Sequence, residues 1–184
     1  MRLFIALDLS AEIHEQISAF ISKMKPRAPN LRFVRPEGLH VTLKFLGEVP
    51  ATKLDLLKAA LGQIEHSAFP LTVENLGFFP DAKRPRIFWA GISTPPDTAS
   101  LLAGKVDHAC AFAGFPPEKH AWKPHITLAR VGSGKPYPFQ STAADTQKRF
   151  GMMMVTQFHI YESTLHPQGS IYNKVATFPL KTQR

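Results

Sequence analysis

The sequence predicts an α+β protein of two pseudo-symmetric lobes, each a small, mainly antiparallel sheet with helices on its outer face, flanking a central groove. Three observations carry that expectation. Strand-like and helix-like segments alternate along all 184 residues. Short segments recur at a nearly constant offset. The most distinctive of these has one apolar and one polar side, the pattern of a strand half-exposed to a groove.

In chain order, residues 2–8 read as a buried strand. Ser10 then caps a helix whose apolar face is Ile13, Ile17, Phe20, Ile21 and Met24, at helical spacing. A short strand at 31–34 precedes a stronger one at 39–46. Thr52 is placed to cap a second helix with Leu54, Leu57, Leu61 and Ile64 inward and Asp55 in its first turn. Strands follow at 70–76 and 86–93. Asp97 or Thr98 opens a third helix with Leu102, Val106, Ala109 and Ala113 inward, and strands are expected at 125–131, 154–163 and 174–180. Most of the 16 prolines fall between these elements, where a missing amide proton costs least.

The repeat sets the domain organisation. Arg2-Leu3-Phe4-Ile5-Ala6 matches Arg86-Ile87-Phe88-Trp89-Ala90 at an offset of 84, and His40-Val41-Thr42-Leu43 matches His125-Ile126-Thr127-Leu128 at 85. Gly47 and Gly132 keep the offset of 85. Residues 1–184 therefore read as a single bilobal domain with internal repeats near 2–47 and 86–132, related by an approximate two-fold axis.

Composition narrows the function. Lys and Arg number 22 against 14 Asp and Glu, a formal net charge of +8, which favours an anionic partner such as RNA or a nucleotide. The single cysteine, Cys110, excludes an internal disulfide and a cysteine-based zinc site, and its apolar setting predicts a buried thiol. Asp8 interrupts the first apolar run too early for a signal-peptide core, and no stretch is long and apolar enough to span a bilayer. A cytoplasmic protein without an obligate protein partner is expected.

Alternation along a strand points His40 and Thr42 to one face, and likewise His125 and Thr127, while Val41, Leu43, Ile126 and Leu128 point into the cores. Across a pseudo-symmetric groove this gathers two imidazoles and two hydroxyls around one point. Opening a cyclic phosphodiester needs a base for water and an acid for the departing ribose oxygen, on opposite sides of phosphorus. Histidine, with an ordinary pKa of about 6.5, serves either role near neutrality and gives a bell-shaped pH dependence. Threonine hydroxyls can donate to the non-bridging oxygens. From the residues alone, the two histidines are equivalent and their roles stay open.

Paired H-x-T-x motifs in a duplicated chain resemble the 2H phosphoesterase superfamily. The surrounding text, LHVTLKFLGEV, PRIFWAGI, KPHITLARV, YESTLHPQG and the late FPL, is similar to the RNA 2′,3′-cyclic phosphodiesterases, also called 2′-5′ RNA ligase-like proteins, from Arg2 to about Leu180. The resemblance implies metal- and cofactor-independent hydrolysis of RNA 2′,3′-cyclic phosphate ends, tRNA fragments among them, to 2′-phosphomonoesters, with reversible 2′-5′ joining of RNA ends in some members. It implies His40 as proton donor, His125 as proton acceptor, and Thr42 and Thr127 as phosphate holders. Phe45 and Arg130, each five residues after its histidine, correspond to positions near substrate, an aromatic for the base and a cation for phosphate. Strict alternation sets both on the face away from the histidines, so a bulge or strand end is required; for Phe45 a core position is the competing reading. Lys44 shares the face of His40 and Thr42, as a groove-lining or a solvated lysine.

Other chemistries lack their residues. No H-x-H or H-E-x-x-H spacing marks a metal site, and His120 with His125 makes a poor chelate across Trp122 and Pro124. His14, His66 and His108 are expected on helices, as exposed or helix-end residues. His159 and His166 read as structural or peripheral, with His166 within reach of the groove. Gly132-Ser133-Gly134-Lys135 lacks the full phosphate-loop pattern and reads as a flexible basic loop. Two other functions remain open: a phosphodiesterase for small cyclic nucleotides, such as a cyclic phosphate of ADP-ribose, and a non-catalytic RNA-binding module in which both H-x-T pairs are dispensable.

Overall fold

Nine strands and three helices follow the predicted alternation in a computed structural model, which describes residues 1–95, 97–132, 146–166 and 169–182. The strands are β1 (Arg2–Leu7), β2 (Leu31–Phe33), β3 (Val41–Glu48), β4 (Phe69–Phe79), β5 (Ile87–Ser93), β6 (His125–Val131), β7 (Arg149–Val155), β8 (Gln157–Thr164) and β9 (Ile171–Pro179). The helices are α1 (Ala11–Met24), α2 (Leu54–Gly62) and α3 (Thr98–Phe112). The strand order is β7-β4-β5-β6-β3-β1-β8-β9, with β2 added on β6, and these neighbours run antiparallel. Two four-stranded halves, β7-β4-β5-β6 and β3-β1-β8-β9, meet where Val41 pairs with Ile126. The join brings the two H-x-T segments side by side.

Local chemistry explains most boundaries. The Ser10 side chain accepts a hydrogen bond from the Ile13 amide at 3.4 Å, the expected cap of α1. Ile13, Ile17 and Ile21 are buried at one helical face, each contributing about 1.5–3 kcal/mol of burial. Thr52 does not cap α2; it lies in a 3₁₀ turn over Ala51–Lys53, and Lys53 stands at the helix start without a side-chain cap. Asp97 begins α3 with φ +63°, also without a side-chain cap. The strand expected at 154–163 is two strands, β7 and β8, broken at Thr156, and β7 was not anticipated.

The helices cross between halves. α1 leaves β1 but packs on β7, its Phe20 ring 5.4 Å from Phe150 and 6.4 Å from Phe88. α3 leaves β5 but packs on β3, and α2 packs on α3. Each half of the chain therefore backs the other half's sheet. Cys110 is fully buried in α3, and burial pushes its thiol up to about 12, so it is an unreactive core residue. Among the described residues, no helix is long and apolar enough to cross a membrane. The basic loop expected after Gly132 falls on residues 133–135, outside the described residues.

Candidate active site

Both histidines stand at the start of their strands, held by the same device. The His40 Nδ1–H donates to the Gly38 carbonyl at 2.8 Å, and the His125 Nδ1–H donates to the Lys123 carbonyl at 2.7 Å. In each case the acceptor lies two residues back. A carbonyl can only accept, so Nδ1 carries the proton in both rings and Nε2 is the nitrogen left for a ligand. Aromatic neighbours fix the ring planes. Phe4 lies 4.8 Å from His40 and Tyr172 meets it edge-on at 5.4 Å, while Phe79 meets His125 edge-on at 4.9 Å.

Two bulges set the facing of the residues beyond each histidine. On β3 the register slips so that Ala6 faces Thr42 and Ile5 faces Lys44, leaving Leu43 as the extra residue. On β6 Trp89 faces Thr127 and Phe88 faces Ala129, leaving Leu128 extra. The two leucines occupy the same place after their histidines. An extra residue inverts the alternation beyond it, so His40, Thr42 and Phe45 share one face, as do His125, Thr127 and Arg130. Residues 40–46 and 125–131 accordingly show the same sequence of buried and accessible positions. A second slip leaves Leu46 unpaired between Phe45 and Gly47, and Gly47 takes φ +68°, a conformation that favours glycine. Gly132, its counterpart by offset, does not share that conformation. The ladders also relate Ala6 to Trp89 rather than to Ala90, since both oppose a threonine.

Phe45 is 69% exposed, which removes the core reading, and it lines the cleft with Arg130. The bulge has the opposite effect on Lys44. It is 4% exposed and turned away toward α3, where its ammonium donates to Asp107 at 2.6 Å and to the Pro116 carbonyl at 2.9 Å. It lines neither the cleft between the histidines nor a solvated surface, contrary to expectation.

His40, Thr42, Phe45, His125, Thr127 and Arg130 thus come together around one cleft of about 430 Å³. Arg2, Phe4, Ser163 and Tyr172 also line it, and sequence reasoning missed them. Phe4 sits in a segment read only as a buried strand, and Tyr172 lies just ahead of the strand expected at 174–180, in the start of β9 that the sequence did not mark. Burial of His40 disfavours its charged form and, with the charge of His125, lowers its pKa from 6.5 to about 4, against the opposing Gly38 hydrogen bond and Asp8 charge. Beside it, burial alone would raise the Asp8 carboxyl. Hydrogen bonds from Lys174 at 2.8 Å and from Tyr161, with the nearby His159, instead hold it below the usual carboxylate range.

The remaining histidines lie elsewhere. His159 is fully buried, with Nδ1 3.0 Å from Thr177 Oγ1, a structural position as expected. His14 and His108 lie on α1 and α3, whereas His66 falls after α2 and is buried. His166 is not among the residues lining the cleft. Among the described residues, no three His, Cys, Asp or Glu side chains gather as a metal-binding group.

Comparison with known proteins gives the same outline. The model of the family described as LigT-like phosphoesterase matches the chain twice, over residues 7–89 and 92–172. An RNA 2′,3′-cyclic phosphodiesterase of Archaeoglobus fulgidus is 32% identical over 178 residues, covering 97% of this chain and 99% of the relative. One from Escherichia coli is 38% identical over 132 residues, 72% of this chain and 73% of its own. Among solved structures, E. coli LigT complexed with 3′-AMP superposes with a TM-score of 0.81 at 32% identity, covering 97% of each chain. TT0787 of Thermus thermophilus gives 0.83 at 29% identity and complete coverage of both chains.

Proposed function

The chain belongs to the LigT-like phosphoesterase family, and from that premise we propose that it hydrolyses 2′,3′-cyclic phosphate ends of RNA to 2′-phosphomonoesters without a metal. One observation carries the reading: two histidines with the same fixed tautomer line one cleft together with two threonines and an arginine. Support also comes from the relatives, named as RNA 2′,3′-cyclic phosphodiesterases. We read the two halves of the single domain as copies of one unit, each contributing one histidine.

In the proposed reaction, His125 Nε2 takes a proton from water as its oxygen bonds to phosphorus. The bond from phosphorus to the 3′-oxygen breaks on the opposite side, and His40 Nε2–H gives its proton to that oxygen. Thr42 and Thr127 donate to the non-bridging oxygens as charge gathers there, and the Arg130 guanidinium offsets it. Phe45 offers a face to the base. His40 is neutral in the empty cleft near pH 7, so the phosphate anion must raise its proton affinity on binding for it to act as donor. A 5′-hydroxyl replacing water would give reversible 2′-5′ joining through the same residues. A cytoplasmic setting and tRNA fragments as substrates belong to the same proposal.

The test incubates the protein in EDTA with an RNA bearing a 2′,3′-cyclic phosphate and reads the product by phosphorus NMR. A 2′-phosphomonoester formed at an undiminished rate is expected. No turnover, a 3′-phosphate product, or loss of activity restored by a divalent metal would each overturn the reading.

A further inference from the structure

A second cavity of about 660 Å³ opens off the cleft and shares Thr42, Phe45 and His125 with it. Its other walls include Phe79, Trp122 and Lys123, the Gly104 and Asp107 positions of α3, and Glu118, whose carboxylate stands 3.5 Å from the Lys44 ammonium. The Trp122 indole donates to the Thr42 carbonyl at 2.9 Å, which pins the 118–125 loop against β3 and holds the cavity open beside the catalytic strand. The carboxylate of Asp107 is occupied by Lys44. The Lys123 ammonium stands over the Phe79 ring, 5.9 Å from its centre, so an aromatic surface and a mobile cation lie together in this wall.

A smaller cavity also borders the cleft among the described residues, through Phe4, His40 and Tyr172. At about 190 Å³ it is too small to take a nucleoside with its phosphate. An RNA strand whose terminal nucleotide fills the cleft has to leave it somewhere. The larger cavity offers room for a nucleoside, an aromatic floor for its base and a lysine for its phosphate, so it fits the chain and the smaller one does not.

We propose that the cavity between α3 and the 118–125 loop is a subsite for the second nucleotide of the RNA, the one 5′ to the cyclic phosphate. This rests on the proposed hydrolysis. A base stacked on an aromatic side chain contributes about 1–3 kcal/mol, so a dinucleotide ending in a 2′,3′-cyclic phosphate has a kcat/KM about 5- to 150-fold above the mononucleotide.

Gly104 gives the probe. It lies inside α3, and a Cβ there meets no atom within 4 Å, so Gly104→Glu and Gly104→Lys both fold and gain helix propensity. Kinetics on adenosine 2′,3′-cyclic phosphate and on the adenylyl dinucleotide bearing the same end would be compared in the three proteins. Gly104→Glu lowers kcat/KM for the dinucleotide at least threefold and Gly104→Lys raises it, with the mononucleotide within 1.5-fold throughout. Equal kcat/KM for the two substrates in the unsubstituted protein overturns the subsite while leaving hydrolysis intact, as do Gly104 variants that shift both substrates alike. Absence of turnover on both substrates overturns the hydrolysis and the subsite with it.

Discussion

Burial of His40 next to the charge-bearing cleft has a measurable consequence for stability. The fall of its pKa from 6.5 to about 4 on folding corresponds to about 3 kcal/mol of preference for the neutral ring, at about 1.4 kcal/mol per tenfold. The unfolded chain takes up this proton below about pH 6.5, the folded protein only near pH 4. Between those values the unfolded state binds more protons, so stability is full above pH 6.5 and falls as pH is lowered through the window. Urea unfolding at pH 7 and pH 4 is the assay, with His40→Gln as the reference. His66 and His159, also lowered by burial, are present in both proteins and cancel in the difference. The unsubstituted protein should lose about 3 kcal/mol more than His40→Gln over that interval. A difference below about 0.5 kcal/mol would refute the buried, neutral histidine. The same ring followed by NMR should titrate at higher pH once inorganic phosphate occupies the cleft; an unmoved midpoint would remove it as the proton donor.

Further consequences are open to test. Thr42→Val and Thr127→Val keep the shape of the cleft but remove a donor to the phosphate, and each should lower kcat about 10- to 100-fold with little change in melting temperature. Arg130→Gln should reduce kcat/KM by about tenfold or more, and Arg130→Lys should restore only part of it if the guanidinium grips two oxygens at once. Asp107→Ala leaves the buried Lys44 ammonium with only the Pro116 carbonyl and the longer Glu118 contact and should cost about 1–3 kcal/mol in urea unfolding, whereas Lys44→Met, which removes the charge, should cost clearly less. The Cys110 thiol, pushed up to about 12 by burial, should resist iodoacetamide at pH 8 and react once the protein is unfolded in urea.

The H-x-T segments and their convergence were legible in the sequence because polar and apolar residues alternate there without interruption. The facing of the residues just beyond them was not. A period of two predicts Lys44 in the groove and Phe45 and Arg130 away from it, and a single extra residue at Leu43 and at Leu128 reverses all three. Leucine at a bulge looks like leucine in a ladder, so only the pairing register exposes it. The bulges turn Phe45 and Arg130 toward the cleft, the side on which the resemblance implies them. Phe4 and Tyr172 stayed hidden because an aromatic ring packed on the imidazole of His40 has the same sequence signature as one in a core. The strand β7 was missed because its ladder runs to Val155 and β8 starts two residues later, at Gln157, too short a gap for turn residues to mark.

The division of labour between the two imidazoles is tested most directly with a leaving group that needs no proton. An RNA end whose cyclic phosphate carries sulfur in place of the 3′-oxygen expels a thiolate, which departs unprotonated. On the natural substrate His40→Ala and His125→Ala should each lose about 10²- to 10⁴-fold in rate. On the sulfur substrate His40→Ala should recover most of that loss and His125→Ala none of it. Rescue of His125→Ala instead would exchange the two roles, and rescue of neither, or full activity of either variant on the natural end, would contradict acid–base catalysis by this pair.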